Sequence, residues 1–463
     1  MLFRVQDFAE EFGFNIVGLE ELNFEEIVTD SREIKPRKAF AALEGSRVDG
    51  HDFIEDAYNR GARVFFVSAN KIQQIKLNFV NWFTNAAFLY ADNLSTRDAL
   101  IAAARKRAAS LNGEIIGITG SAGKTTVKEM VSTLLQPKYE VFKIKKSFNT
   151  PIGLAVEILN ASPNADYYVF EYGARKQNDI EELLNIVKPT KAIITNIGFA
   201  HLGVFKSRDL IFEEKIKLAK ADTVREVYLN SDDEYYEKAR DELKGYSCRI
   251  YAAGRSEKSD LKYEIKAVDQ WGYPVISITY RQKKYDLKLS VPGIHNVANF
   301  ALAALVALKA GVEDEEFLKV AHELRLPKMR LEIINRKNIT YINDSYNSNP
   351  ASLKAALEFL FTFSSEADAA KIAVLGDMLE LGDQASFFHE EAGQLTKKLG
   401  IDAVIYLGEY ADDFARGFGK ENFYPVTRHE EAAKKLLEIA SGRAVVLIKG
   451  SRALEMERVL DYV

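Results

Sequence analysis

The chain has 463 residues, of which 47% are hydrophobic and 28% charged, and its formal net charge is −5. This composition indicates a globular protein and excludes a disordered one, and the length predicts about three domains. No apolar run approaches the ~20 residues needed to span a bilayer, and the acidic start differs from a signal peptide, so we expect a cytoplasmic protein without membrane insertion. The negative charge gives no footprint for nucleic acid, and the single cysteine, Cys248, excludes an internal disulfide.

Residues 1–110 are predicted to form a small α/β domain. Short apolar runs at 39–43, 62–69 and 87–92 indicate strands. The stretch STRDALIAAARKRAASL, which ends this domain, indicates a helix.

Residues 114–135 place a glycine-rich loop between a strand and a helix. An apolar run before Thr119 predicts a buried strand, and apolar residues recur after the loop at helical spacing. This context is typical of a phosphate-binding loop formed by Gly120, Ser121, Ala122, Gly123, Lys124, Thr125 and Thr126.

The chemistry of this loop suits a nucleoside triphosphate. Gly120 and Gly123 let backbone N–H groups turn inward, Lys124 can reach the β- and γ-phosphates, and the Thr125 hydroxyl can ligate Mg²⁺. The alternative is a structural turn around a surface lysine.

From residue 111 to 326, strands alternate with helices and predict a central domain. The runs at 167–174, 191–198 and 226–230 are almost continuously apolar, as expected for a mostly parallel sheet covered on both faces. Residues 262–291 alternate around a Trp-Gly-Tyr-Pro turn, which predicts an antiparallel excursion before the helix NVANFALAALVALKAG.

Residues 327–463 repeat an α/β pattern and predict a third, Rossmann-like domain. Its strands, within ITYINDSY, KIAVLGDM, DAVIYLGEY and RAVVLIKGS, end in polar residues. Ligands gather at the carboxyl ends of strands in open α/β sheets, so we expect the chemistry there.

Glu171, near the end of a predicted strand, suggests a metal site. Glu171 interrupts an apolar strand, and a buried carboxylate needs a partner such as a cation. Mg²⁺ prefers oxygen ligands, which Thr125 and Glu171 supply. The alternatives are that Glu171 caps the next helix and that His201, after TNIG, is an interior residue or a cap.

Ten tracts together resemble the Mur ligases of peptidoglycan synthesis, over nearly the whole chain. They are TDSR (29–32), EGSRVDGHDF (44–53), TGSAGKTT (119–126), SFNTPIG (147–153), FEYGA (170–174), TNIGFAHLGVF (195–205), GIHNVANFALAA (293–304), NDSYNSNPASLKAAL (343–357), GDMLELG (376–382) and KGSRALEME (449–457).

The resemblance implies an N-terminal domain for a UDP-sugar, a central ATPase domain and a C-terminal domain that closes over the site. SYNSNP and GDMLELG favour the family member that uses ATP to join D-alanyl-D-alanine to UDP-N-acetylmuramoyl-tripeptide through an acyl phosphate. We expect a monomer. Three alternatives remain: a sibling or folylpolyglutamate-type ligase, a nucleotide switch and an inactive scaffold. The sequence contains no Asn-Lys-x-Asp motif, which argues against the nucleotide switch.

The resemblance also implies roles for individual residues. The catalytic residues would be Lys124, His201, Lys215 and Arg330. The metal ligands would be Thr125, Glu171, His201 and Lys215, with Asn196 beside the second ion. Besides the phosphate loop, ATP would contact Asn296, Asn299, Arg330 and Asp344, although Asn296 is also suited to capping a helix. The substrate would contact Ser31, Arg32, Asn149, Thr150, Tyr346, Asn347 and Asn349.

Lys215 is expected to be carbamylated, because the family carries such a lysine fourteen residues beyond the histidine. A carbamate is an anionic oxygen ligand suited to Mg²⁺. Lys217 and Lys220 lie close enough in sequence to be mistaken for it, and a solvated surface lysine is the plain alternative.

Overall fold

The computed structural model describes residues 2–45, 48–79, 83, 85–144, 150–363, 369–440 and 442–463. The chain divides into two compact units. The first comprises Met1–Ile115, Ile144–Phe170 and Glu181–Pro189, and the second comprises Ile116–Lys143, Glu171–Ile180 and Thr190–Val463. Within the described ranges, no helix has the length and apolar character needed to cross a membrane.

The N-terminal stretch alternates short strands and helices. The strands are β1 (Phe3–Arg4), β2 (Asn15–Gly18), β3 (Asn23–Phe24), β4 (Glu26–Val28), β5 (Lys38–Ala41), β6 (Val64–Phe66) and β7 (Ala87–Tyr90). The helices are α1 (Val5–Phe12), α2 (Ile54–Asn59), α3 (Ile72–Asn78) and α4 (Thr96–Ala109).

The middle stretch contains the phosphate loop. Its strands are β8 (Glu114–Thr119), β9 (Val141–Lys143), β10 (Tyr167–Glu171), β11 (Lys191–Ile194), β12 (Glu226–Asn230), β13 (Arg249–Gly254), β14 (Leu261–Val268), β15 (Pro274–Tyr280) and β16 (Lys283–Lys288). Its helices are α5 (Lys124–Leu135), α6 (Pro151–Asn160), α7 (Asp179–Leu184), α8 (Leu202–Phe205), α9 (Arg208–Ile216), α10 (Tyr236–Glu242), α11 (His295–Lys309) and α12 (Asp314–Ala321).

The C-terminal stretch is again α/β. Its strands are β17 (Glu332–Arg336), β18 (Ile339–Asn343), β19 (Ala370–Gly376), β20 (Ala403–Leu407), β21 (Phe423–Val426) and β22 (Ala444–Lys449). Its helices are α13 (Pro350–Thr362), α14 (Ala385–Lys398), α15 (Ala411–Phe418) and α16 (His429–Ile439).

The first unit is built on a sheet with strand order β2-β7-β6-β5-β4, in which only β2 runs antiparallel to its neighbour. Phe40, Phe65 and Phe88 lie in its core. Helix α4 begins at Thr96 because the Ser95 side chain accepts the Asp98 N–H. The predicted strands at 39–43, 62–69 and 87–92 are confirmed as β5, β6 and β7, which are one to five residues shorter than expected.

The second unit contains a central sheet in which seven strands lie in the order β16-β15-β14-β13-β12-β11-β8. Strands β8, β11, β12, β13 and β14 run parallel to their neighbours in this order. Strand β15 pairs antiparallel with both β14 and β16, which confirms the predicted antiparallel excursion. The turn before β15 is fixed by Asp269 Oδ1, which accepts the N–H groups of Trp271 and Tyr273.

The same unit contains a C-terminal sheet with strand order β17-β18-β22-β19-β20-β21. All its neighbouring pairs are parallel except β17 with β18. Tyr341, Val374, Ile405 and Val446 are buried in its core. The α/β fold class is thus confirmed. The boundaries at 110/111 and 326/327 remain predictions.

Candidate active site

The phosphate loop joins β8 to α5 as predicted. Helix α5 begins at Lys124, and Gly123 before it has φ 81°, a left-handed conformation that favours glycine. A Cβ on Gly123 would lie 2.6 Å from Asn299 Oδ1. The loop backbone therefore needs glycine both for its conformation and for the close approach of α11.

The residues that follow β11 fasten this loop. Asn196 Oδ1 accepts the Ala122 N–H at 3.0 Å, and Asn196 Nδ2 donates to Ala122 O at 3.1 Å. Ser121 Oγ donates to Gly198 O. The loop is thus held in shape from the neighbouring strand, while the expected place of Asn196 beside a metal ion stays a prediction.

Lys124 is half-buried, and its Nζ donates to Gly120 O at 2.7 Å. Burial lowers the pKa of its ammonium to about 8, although the Glu171 charge opposes this shift and the Arg330 charge adds to it. Lys124 is therefore not an ordinary surface lysine, and its contact with phosphate stays a prediction.

A chain of hydrogen bonds connects the two sheets at this loop. Arg330 Nη2 donates to Thr125 Oγ1 at 2.9 Å, and Thr125 Oγ1 donates to Glu171 Oε2 at 3.1 Å. The Arg330 guanidinium lies 4.3 Å from the centroid of the Tyr346 ring. The structure thus brings together Arg330, Thr125 and Glu171, which are distant in sequence.

Glu171 is 1% exposed and faces a lysine, while its expected role as a Mg²⁺ ligand stays a prediction. Lys128 Nζ lies 3.3 Å from its Oε1, and the Lys128 side chain is also 1% exposed. Glu171 Oε1 nevertheless accepts no hydrogen bond, since the contact with Lys128 lacks the required geometry. Because its carboxylate faces Thr125 and Lys128, the alternative that Glu171 caps a helix is wrong.

The donor set at this point fits a hard cation. A buried carboxylate lies beside the Thr125 hydroxyl, with Oε2 accepting from Thr125 and Oε1 facing Lys128, and Mg²⁺ needs only oxygens of this kind plus phosphates and waters. In the described part of the chain, no group of three or more His, Cys, Asp or Glu side chains is arranged for a metal. Thr125 and Glu171 are thus the two candidate ligands at this point, and a phosphate-bound Mg²⁺ is commonly held by only one or two protein groups.

Lys215 lies in the last turn of α9 and is only 2% exposed. Burial lowers the pKa of its amine to about 7, with a further contribution from the Lys124 charge. No described carboxylate forms an ion pair with Lys215, whereas Lys217 and Lys220 pair with Glu214 and Glu242. The alternative of a solvated surface lysine is therefore wrong for Lys215.

His201 precedes α8 and has φ 55°, an uncommon left-handed conformation for a residue other than glycine. Its Nδ1 lies 2.5 Å from Glu380 Oε2, which belongs to the loop after β19. Its side chain makes no cap hydrogen bond to α8. Its role as a metal ligand remains a prediction.

Asn296 and Asn299 lie in the first two turns of α11 and are buried. The N-cap of α11 is Ile294, without a side-chain cap bond, so the capping alternative for Asn296 is wrong. Asn296 instead donates to Pro292 O and accepts from Asn299 Nδ2. The Asn299 amide thus lies beside Gly123 of the phosphate loop and is oriented by Asn296, and adenine binding stays a prediction.

Asp344 follows β18 and is held by a buried lysine. Lys449 Nζ lies 2.5 Å from Asp344 Oδ2 and also donates to Asn347 O at 2.9 Å. The other carboxylate oxygen of Asp344 accepts the Leu331 N–H, next to Arg330. Lys449, which is 2% exposed, thus fixes the loop that carries Tyr346 and Asn347.

The predicted substrate residues are in varied settings. Asn349 caps α13 in a capping box with Ser352. In the first unit, Ser31 is buried, the side chain of Arg32 is 81% exposed and paired with Asp30, and Thr150 caps α6. Asn149 lies outside the described residues. Substrate contact by Ser31, Arg32, Thr150, Tyr346, Asn347 and Asn349 stays a prediction.

Sequence reasoning missed three charged residues: Lys128, Glu380 and Lys449. Lys128 follows Lys124 by one helical turn, and this spacing, which places both lysines on one side of α5, was available in the sequence. Glu380 and Lys449 lie in the GDMLELG and KGSRALEME tracts, but nothing local in either tract identifies its partner.

Comparisons with known proteins match three domains of one family to this chain. The Mur ligase family catalytic domain matches residues 23–111, the Mur ligase middle domain matches 118–307, and the Mur ligase glutamate ligase domain matches 329–452. UDP-N-acetylmuramoyl-tripeptide–D-alanyl-D-alanine ligases of Bacillus subtilis and Rickettsia prowazekii are each 31% identical. They cover 94% and 96% of this chain and 92% and 97% of their own lengths.

Solved structures show the same three-domain α/β fold. MurF from Acinetobacter baumannii is 27% identical with a TM-score of 0.82, covering 100% of this chain and 99% of its own. MurF from Thermotoga maritima in complex with ADP is 28% identical with a TM-score of 0.75, covering 95% and 96%. The chain belongs to the Mur ligase family, as its sequence tracts predicted.

Proposed function

We propose that this chain is the ATP-dependent ligase that joins D-alanyl-D-alanine to UDP-N-acetylmuramoyl-tripeptide, releasing ADP and phosphate. The observation that carries the proposal is the Arg330–Thr125–Glu171 chain at a phosphate loop, in a protein that is similar over 94% of its length to a ligase with that name. A nucleotide switch would not need an arginine from a second sheet at its phosphate loop.

The reaction requires activation because a carboxylate is a poor acyl donor. The tripeptide carboxylate attacks the γ-phosphorus of ATP, ADP leaves, and an acyl phosphate forms. The dipeptide amine, after losing a proton, attacks the acyl carbon, and phosphate leaves as the amide bond forms.

The residues of this chain supply charge and position for these steps. Lys124 would exchange its contact with Gly120 O for the phosphates, and Arg330 would exchange its contact with Thr125 for the transferring group. Thr125 and Glu171 would hold Mg²⁺, which neutralises phosphate charge when bound. Asn299 and Asn296 would orient the adenine, and Asp344 the ribose.

We also propose that Lys215 is carbamylated. Its neutral amine would attack CO₂, so that an N–C bond forms and a proton is released. Burial, the lowered pKa and the lack of a paired carboxylate among the described residues all support a neutral amine. The resulting anion would sit close to the Lys124 charge and, with His201, would supply ligands for a second Mg²⁺.

The direct test measures ADP and pentapeptide product with ATP, D-alanyl-D-alanine and UDP-N-acetylmuramoyl-tripeptides ending in lysine or diaminopimelate. ADP release should require all three substrates. A folded protein that releases no ADP under these conditions refutes the function, and a product with glutamate or a single amino acid identifies a sibling ligase.

The carbamate is tested separately with ¹³CO₂. A carbamate carbon resonance should appear in the wild-type protein and in Lys220→Ala but be absent from Lys215→Ala. Short carboxylic acids should restore part of the activity of Lys215→Ala, because they can fill the vacated position. Full activity in Lys215→Ala without added acid would show that the assignment is wrong.

A further inference from the structure

The loop after β19 carries Glu380 into contact with the residues that precede and begin α8. Glu380 Oε2 lies 2.5 Å from His201 Nδ1, and Glu380 O accepts the Gly203 N–H at 2.9 Å. Glu380 thus contacts the His201 segment through both its side chain and its backbone, although it lies in a loop that follows a strand of the C-terminal sheet.

The backbones at this contact are unusually close. A Cβ on Gly203 would lie 2.8 Å from Gly382 N, and a Cβ on Gly382 would lie 2.7 Å from Gly203 Cα. Both His201 and Glu380 have positive φ, 55° and 70°. Such conformations cost energy in residues other than glycine and persist where the surroundings enforce them, often at functional sites.

Hydrogen bonds hold the three residues that precede Glu380 in its loop. Asp377 is buried and accepts the Tyr406 hydroxyl and the Glu409 N–H. The next two N–H groups, of Met378 and Leu379, donate to His389 Nε2 and Ser451 Oγ. Three consecutive residues before Glu380 are therefore fixed by polar contacts, so its carboxylate is presented in a defined position.

The two nitrogens of the His201 ring differ in their surroundings. Nδ1 faces the Glu380 carboxylate, whereas Nε2 makes no hydrogen bond to any residue that the structure describes. This is the arrangement of a metal-binding histidine, in which a carboxylate takes one ring N–H and leaves the other nitrogen for the ion.

We propose that Glu380 is a positioning residue that fixes the tautomer and orientation of His201 once the C-terminal sheet is docked on the central sheet. The inference rests on the proposed function, in which His201 is a metal ligand. It goes further, because the orientation of His201, the metal ligand after β11, would depend on Glu380, which follows a strand of the C-terminal sheet.

The test compares Glu380→Leu, Glu380→Gln and the charge-matched control Asp383→Asn, an exposed residue three positions further along the same loop. Mn²⁺ affinity in the presence of ADP is measured by the loss of the free-ion paramagnetic resonance signal. Glu380→Leu should weaken Mn²⁺ binding about 10–100-fold and lower kcat by a similar factor, with the KM of each substrate little changed. Glu380→Gln keeps an acceptor oxygen and should lose less, and Asp383→Asn should match the wild type.

A double-mutant cycle separates positioning from general support. In a His201→Ala background, Glu380→Leu should cause no further loss of Mn²⁺ affinity. Wild-type Mn²⁺ affinity in Glu380→Leu, or an equal loss with and without His201, would overturn the inference. If the wild-type protein binds Mn²⁺ normally but forms no pentapeptide product, that result would instead refute the proposed function alone.

Discussion

Replacing Lys128 by methionine should destabilise the second unit by about 3–5 kcal/mol, the usual cost of removing one partner from a buried ion pair. Lys128 and Glu171 are each 1% exposed, with Nζ and Oε1 3.3 Å apart. At an effective dielectric constant of about 20, charges at that distance attract by about 5 kcal/mol. Lys128 Nζ also lies 3.3 Å from Glu129 Oε1, so, because methionine retains most of the lysine stem, the loss reports the charge that both carboxylates then lack.

Hydrogen–deuterium exchange of peptides covering α5 gives the local free energy of unfolding. A loss of about 3 kcal/mol corresponds to a fall in protection of roughly 100-fold or more where exchange requires unfolding of the unit. The matched control is Lys143→Met, which removes a partly exposed partner of Glu129 and should cost under about 1 kcal/mol.

The double variant Lys128→Met/Glu171→Gln decides whether the charge is the cause. An amide at 171 needs no cation, and it still accepts the Thr125 hydroxyl, so the double variant should be more stable than the single one. Wild-type protection in Lys128→Met, or a double variant no more stable than Lys128→Met, would refute the reasoning.

Three further predictions concern the nucleotide site. Gly123→Ala should weaken binding of a non-hydrolysable ATP analogue at least about 10-fold, because the residue has φ 81° and its Cβ would meet Asn299. Titration calorimetry measures this affinity, with Gly442→Ala, where a Cβ has open space, as the control. An unchanged affinity in Gly123→Ala would contradict the prediction. Lys124→Met should lower kcat by about 10²–10³-fold with an unchanged circular dichroism spectrum. Only the wild type should lose ATP affinity as pH rises through about 8, because the buried ammonium then loses its charge. A wild-type ATP affinity that stays constant to pH 10 would show that this charge is not used. Because the Lys215 amine has a pKa of about 7, it becomes protonated as pH falls below that value, and the neutral fraction at pH 6.5 is roughly fourfold smaller than at pH 8.5. Added bicarbonate should therefore stimulate turnover more at pH 6.5 than at pH 8.5, and equal stimulation at both would argue against a carbamate.

Most of the fold was predictable because buried strands and amphipathic helices carry a local signal. Strand β12 occupies the predicted residues 226–230, and α5 buries Val127, Met130, Val131 and Leu134 on the expected face. The strands β17 and β21 were missed because they lie at the edges of the C-terminal sheet, where exposure weakens the apolar pattern. Pro425 within β21 weakens it further.

The candidate site was predictable in its residue types but not in its pairings. The phosphate loop is a local motif, so Lys124 and Thr125 could be assigned from spacing. Lys128–Glu171, Asp344–Lys449 and His201–Glu380 join residues 43, 105 and 179 positions apart. No local periodicity encodes such contacts, because they depend on which strand ends and loops the sheets bring together.

The pairings between the two sheets of the second unit explain how docking can control chemistry rather than binding alone. Arg330 reaches Thr125 after β8, and Glu380 reaches His201 after β11, so the C-terminal sheet acts on two neighbouring strand ends at once. Both contacts adjust groups that would face the transferring phosphate or its metal. Interactions completed only in the docked arrangement favour the transition state over substrate binding, so loosening this docking should lower kcat more than it raises KM.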